Sequence, residues 1–194
     1  IKRDPTNIAA YRNLASLNLR VDKPAEAMQV LDAGLAKNPG DAALMFTKAT
    51  MYEGQQDYDA AIGVYEELVK EYPNAVVIVN NLASLLTDHR EDEASLKRAH
   101  ELALRFRSSE IPHFKDTLGW TYFRMGKAEE ANELIEDANK NMPNVPVFRY
   151  HLGMTYLALD EKESARREFD KALELAGDNP FPFRENVEQA IKKL

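Results

Sequence analysis

The side chains able to do chemistry are few and scattered. The histidines His89, His100, His113 and His151 never stand four residues apart, the spacing at which a helix offers two imidazoles to zinc. His100 sits beside Glu101 with no second histidine nearby. The chain has no cysteine, which excludes disulfides, thiolate metal sites and a cysteine nucleophile. The acidic runs 90–93 and 160–163 lack the ligand spacing and the glycine of a calcium loop, and no glycine pattern cradles a phosphate. The expectation is a protein with no catalytic residue, no metal and no cofactor, and not an enzyme. A row of hydrogen-bonding side chains recurs instead. Asn13, Thr47, Asn81, Thr117 and His151 follow one another at intervals of 34, 34, 36 and 34 residues. An extended peptide presents alternating N–H and C=O groups, which an asparagine amide satisfies with both its atoms. The same side chains could equally tie neighbouring helices together or face water.

The elements that carry this row are themselves repeated. In the stretch from Asp116 to Pro143, Leu118, Gly119, Tyr122, Ala131 and Ala138 return 34 residues later as Leu152, Gly153, Tyr156, Ala165 and Ala172. Pro5, Pro39 and Pro73 are 34 and 34 apart, and Pro143 lies 70 beyond Pro73. A 34-residue helix–turn–helix unit with this spacing is the tetratricopeptide signature. The expected fold is therefore all-α, an α-solenoid of antiparallel helix pairs. Five repeats are expected over residues 8–179, at about 8–41, 42–75, 76–111, 112–145 and 146–179. Residues 1–7 read as the tail of an upstream repeat, and because the chain begins at Ile1 it reads as a piece of something longer.

Local signals fill in the repeats. Lys23-Pro24 opens the second helix, since proline is tolerated in a first turn, and Asp22 is the expected cap. Lys48 stands where other repeats carry leucine, which its aliphatic stem accommodates. The third repeat is irregular: its second helix is expected over roughly 92–107, and two extra residues fall near 108–111. Residues 180–194 read as a C-terminal capping helix with Phe183, Val187, Ala190, Ile191 and Leu194 on its apolar side. A repeat array needs such a polar-backed cap over its last hydrophobic face.

Composition narrows the partners. The chain is 44% hydrophobic and 29% charged, the balance of a soluble helical protein. A net charge of −7 argues against general nucleic-acid affinity, which rests on Lys and Arg neutralising phosphates. No apolar run approaches the ~20 residues of a membrane span, so no membrane insertion is expected of this stretch.

These residues resemble the tetratricopeptide repeat family over nearly the whole chain, with departures at Lys48 and Arg107. The resemblance implies a groove, lined by the first helix of each repeat, that binds peptides or partner proteins. If Leu118, Gly119 and Tyr122 face the core, a turn of ~100° per residue places the neighbouring side chains toward that groove. The candidate partner-binding residues are Arg12, Asn13, Asn80, Asn81, Ser84, Thr117, Trp120, Phe123, Arg124, Tyr150, His151 and Met154. The groove then changes from polar and partly basic to aromatic, around Trp120, Tyr150 and Met154. Trp120 fits two roles, a binding anchor or packing between consecutive first helices. The run 80–86, NNLASLL, followed after an irregular helix by Asp116-Thr117-Leu118-Gly119-Trp120, also resembles bacterial exopolysaccharide-export tetratricopeptide proteins. Two functions are carried forward. One is a non-enzymatic interaction scaffold that binds a partner segment. The alternative is a structural arm of an envelope polysaccharide-secretion complex. The second would place the chain in the periplasm or envelope, and the first leaves the cytoplasm open.

Overall fold

The computed structural model describes residues 4–194 and, among them, eleven α-helices with no strand. Residues 1–3 of the expected upstream tail lie outside the described residues. The helices are α1 (Ile8–Arg20), α2 (Pro24–Lys37), α3 (Ala42–Gly54), α4 (Tyr58–Glu71), α5 (Val76–His89), α6 (Glu93–Ala103), α7 (Pro112–Arg124), α8 (Ala128–Asn141), α9 (Pro146–Ala158), α10 (Lys162–Ala176) and α11 (Arg184–Ile191). None of them is long and apolar enough to cross a membrane. The fold class is all-α, built of antiparallel helix pairs closed by a short terminal helix.

The chain divides into two compact units, one ending at Leu85 and one running from Leu86 to Leu194. In the first, α1 packs on α2, α2 on α3 and α3 on α4. Its core includes Tyr11, Ala15, Ala27, Leu31 and Leu44. In the second, successive helices from α6 to α11 each pack on the next. Side chains three and four apart on each helix supply the buried face, as an amphipathic helix requires. The small residues of the repeat mark close approaches. A Cβ on Gly119 would lie 2.6 Å from Ile135 Cγ1, and one on Gly153 would lie 2.5 Å from Phe169 Cε1. Those positions let the two helices of a pair touch.

Local chemistry fixes several helix starts. Asn7, Asp41, Asp57 and Asp92 each accept a hydrogen bond from the backbone N–H three residues on, a side-chain cap worth ~1 kcal/mol. Pro24, Pro112 and Pro146 sit in first turns. Asp22 is not the cap of α2. Its φ is +57°, and Lys23 occupies the cap position with no side-chain bond. Asp22, Gln56, Gly126 and Asp160 all take this left-handed conformation at the same place in their repeats, and the turn geometry outweighs the cost to three non-glycine residues.

Two further differences concern the irregular regions. The sixth helix ends at Ala103 and tightens into a 3-10 turn, Leu104–Phe106, where Phe106 stacks on Phe114 at 4.4 Å. At the C-terminus α11 begins only at Arg184, a turn later than expected. Phe181, Pro182 and Phe183 therefore precede the helix.

Candidate functional site

In the first unit, α1 and α3 present an open cleft of about 720 Å³, within the usual size of a ligand site. Arg12, Asn13, Ser16 and Leu19 line it from α1, and Phe46, Thr47 and Thr50 from α3. Spacings of three and four place each set on one helix face. The Nε–H of Arg12 donates to Thr47 Oγ1 at 3.2 Å, which fixes the guanidinium at the mouth. Thr47 in turn donates to Ala43 O at 2.7 Å. Asn13 and Ser16 are exposed. The cleft thus offers a cation, an amide and a hydroxyl beside the Phe46 ring.

Asn80, Asn81 and Ser84 lie on α5 and are half-buried. Asn81 donates from Nδ2 to Tyr65 Oη at 3.1 Å, and Tyr65 donates to Glu53 Oε1 at 2.6 Å. Burial pushes the Glu53 carboxyl up, although the Tyr65 bond pulls against it. Burial, with Glu53 beside it, pushes the Tyr65 phenol up as well. Asn81 therefore ties α5 to α4 and α3. That arrangement matches the alternative reading of the polar row, in which its side chains join helices.

The second unit holds the remaining candidates, and most of them face inward. Trp120, Tyr150 and His151 are each 4% exposed and Thr117 is 7% exposed, so none meets a partner at this surface as it stands. The indole Nε1–H of Trp120 donates to Asp88 Oδ1 at 2.8 Å. Its ring stacks on Phe123 at 4.6 Å and on His151 at 4.0 Å. His151 Nδ1 lies 2.9 Å from Asp116 Oδ2. Thr117 donates back to His113 O. Arg124 donates to Thr87 O at 2.6 Å and to Arg90 O at 3.3 Å, so its charge covers carbonyls at the C-terminal end of α5, where a cation is favourable. Met154 packs beside Trp120 and Tyr150. Burial pushes the Tyr150 phenol up to about 12.

Sequence reasoning missed what covers these rings. Phe183 stacks on Tyr150 with centroids 4.6 Å apart, and Phe181 meets Phe183 edge-on at 6.0 Å. The sequence pattern puts Phe183 on the apolar side of a terminal helix, whereas the helix starts at Arg184. The available signal was Pro182, which separates the two rings and delays the helix. Asp88, the acceptor of the indole, carried no sequence signal. Among the described residues no three His, Asp or Glu side chains are grouped to hold a metal.

The profile of the tetratricopeptide repeat family matches residues 12–76 and 117–180. The chain belongs to the tetratricopeptide repeat family, whose members are generally non-enzymatic interaction modules. It is 25% identical over 136 residues to the TPR repeat-containing protein PA4667 of Pseudomonas aeruginosa, covering 68% of this chain and 22% of that protein. The chain spans under a quarter of the length of the curated relatives it matches. Among solved structures it is similar to MamA from Desulfovibrio magneticus RS-1, with a TM-score of 0.70 and 20% identity over 89% of this chain and 97% of that one. It is also similar to YrrB, described as a TPR protein with an unusual peptide-binding site, with a TM-score of 0.68 and 19% identity over 100% of this chain and 96% of that one. At such identities the structural likeness concerns the fold alone.

Proposed function

We propose that the chain is a non-enzymatic scaffold that captures an extended segment of a partner protein, with the cleft between α1 and α3 as its open binding surface. The observation that carries this reading is the cleft's composition. Arg12, Asn13 and Ser16 stand exposed at a cavity of about 720 Å³, whereas the aromatic candidates of the second unit are covered. Exposed donors beside a ring suit a peptide whose carbonyl or carboxylate groups meet Arg12. A synthetic peptide array probed with the wild-type chain and with Arg12→Glu tests it. Peptides retained by the wild type and lost by a folded Arg12→Glu support the cleft; identical retention contradicts it.

A second reading, the assembly arm, draws on a different surface. Leu14, Leu17 and Val21 form one stripe of α1 and are 37%, 53% and 55% exposed. The equivalent Leu152 is buried against Ala131 and Ile135 of the preceding repeat. The α1 stripe therefore suits another helix, from the same chain or another. A Leu17→Glu variant that abolishes a concentration-dependent increase in sedimentation coefficient supports this use; an unchanged series counts against it.

A further inference from the structure

The ring cluster of the second unit is closed by the chain's own Phe181–Pro182–Phe183 stretch. Phe183 stacks on Tyr150 at an interplanar angle of 14° and meets His151 edge-on at 5.9 Å. In the His151–Asp116 pair that Phe183 meets, two polar atoms have no hydrogen-bond partner among the described residues: His151 Nε2 and Asp116 Oδ1. Both side chains are 6% exposed. His151 Nδ1 faces Asp116 Oδ2 at 2.9 Å, so Nε2 is the ring nitrogen without a partner. The free carboxylate oxygen is an acceptor. The covering stretch supplies two rings and no donor to either atom. Its following residue, Arg184, donates instead to Gly177 O at the end of α10.

We propose that Phe181–Pro182–Phe183 is a displaceable occupant of a peptide site on the second unit, whose partner is a segment with two aromatic residues followed by a basic one. The rings of such a segment replace Phe181 and Phe183, and its cation satisfies Asp116 Oδ1. A cation is preferred because Asp116 Oδ1 is a buried carboxylate oxygen with no partner among the described residues, and a charge-assisted hydrogen bond is the stronger kind. The stretch is held by its own rings and by Val187, Ala190, Ile191 and Leu194 of the segment that follows, since α11 has eight residues and a helix that short has little stability of its own. Being part of the same chain, it acts at high effective concentration. A partner therefore displaces it only through bonds it leaves unmade. This proposal rests on the reading of the chain as an interaction module.

Trp120 is the only tryptophan, so its fluorescence reports this site alone. The test uses the whole chain carrying Phe181→Ala and Phe183→Ala together. The probes are a peptide copying residues 179–186, Asn-Pro-Phe-Pro-Phe-Arg-Glu-Asn, and the same peptide with Ala in place of Arg. In the variant, Trp120 emission moves to longer wavelength and acrylamide quenching rises; the first peptide reverses both. It binds the variant at least about tenfold more tightly than it binds the wild type, and loss of its Arg weakens binding to the variant by about tenfold. Unchanged emission in the variant, no saturable response to the peptide, or equal binding of the two peptides overturns the proposal. If circular dichroism shows the variant unfolded, the wild-type chain is titrated instead: a saturable change in Trp120 emission supports displacement, and none at millimolar peptide overturns it. Capture at the cleft of the first unit is read separately with Arg12→Glu, so failure here leaves that reading standing.

Discussion

His151 Nδ1 and Asp116 Oδ2 lie 2.9 Å apart with both side chains 6% exposed, and the bond joins the first helices of two successive repeats. Removing the carboxylate leaves the imidazole buried with neither nitrogen satisfied. Asp116→Ala is expected to destabilise the chain by about 1–3 kcal/mol. A urea unfolding midpoint that does not move would show that the pair contributes nothing to stability.

The repeat glycines make a second prediction. A methyl group at Gly153 would meet Phe169 Cε1 at 2.5 Å and Cδ1 at 2.6 Å, and Phe169 is fully buried. Gly153→Ala should therefore cost about 1–3 kcal/mol by overpacking. Pairing it with Phe169→Leu should recover part of the loss. Thermal melts of the single and double variants read the difference.

The turn between α3 and α4 runs the other way. Gln56 holds φ at +60°, a conformation that disfavours any residue with a Cβ. Its counterpart Gly126, at φ +76°, shows the residue this turn accepts without strain. Gln56→Gly is expected to stabilise the chain by about 0.5–1 kcal/mol, the reverse of the usual effect of glycine. A lowered melting temperature would contradict it.

His100 gives the pH dependence its sign. Burial lowers its pKa below 6.5, and nearby Lys127 adds to the shift. Its Nε2 has no hydrogen-bond partner among the described residues, and its ring lies 5.3 Å from Tyr122. The unfolded chain then binds a proton that the folded chain refuses, so stability is full above pH 6.5 and falls as pH drops below it. His100→Gln should make the fall in melting temperature between pH 7.5 and 5.5 shallower, with His89, whose pKa burial also lowers, supplying what remains; the interval of about two units spans the ordinary imidazole value. An equally steep decline in the variant would assign the effect to other groups.

Much of the fold was legible in the sequence because it is periodic. Prolines and glycines recur at positions where backbone and packing leave little choice, so helix order followed from the 34-residue interval. The site was less legible because helical phase locates a face without saying what covers it. Asn81, Thr117 and His151 share a phase with Asn13, yet only Asn13 among these is exposed. The others bond to Tyr65, His113 O and Asp116, contacts set by neighbouring helices. Asp22 illustrates a second limit. Aspartate suits both a helix cap and a left-handed turn, and only the backbone distinguishes them.

The central claim is that the cleft between α1 and α3 is the working surface. Site-specific photocrosslinking inside the native host tests it most directly, with a benzophenone amino acid placed at Ser16 in the cleft or at Glu67, exposed on α4. The account predicts a discrete partner adduct from position 16, abolished by Arg12→Glu, and none from position 67. Adducts from position 67 with none from position 16 would contradict it.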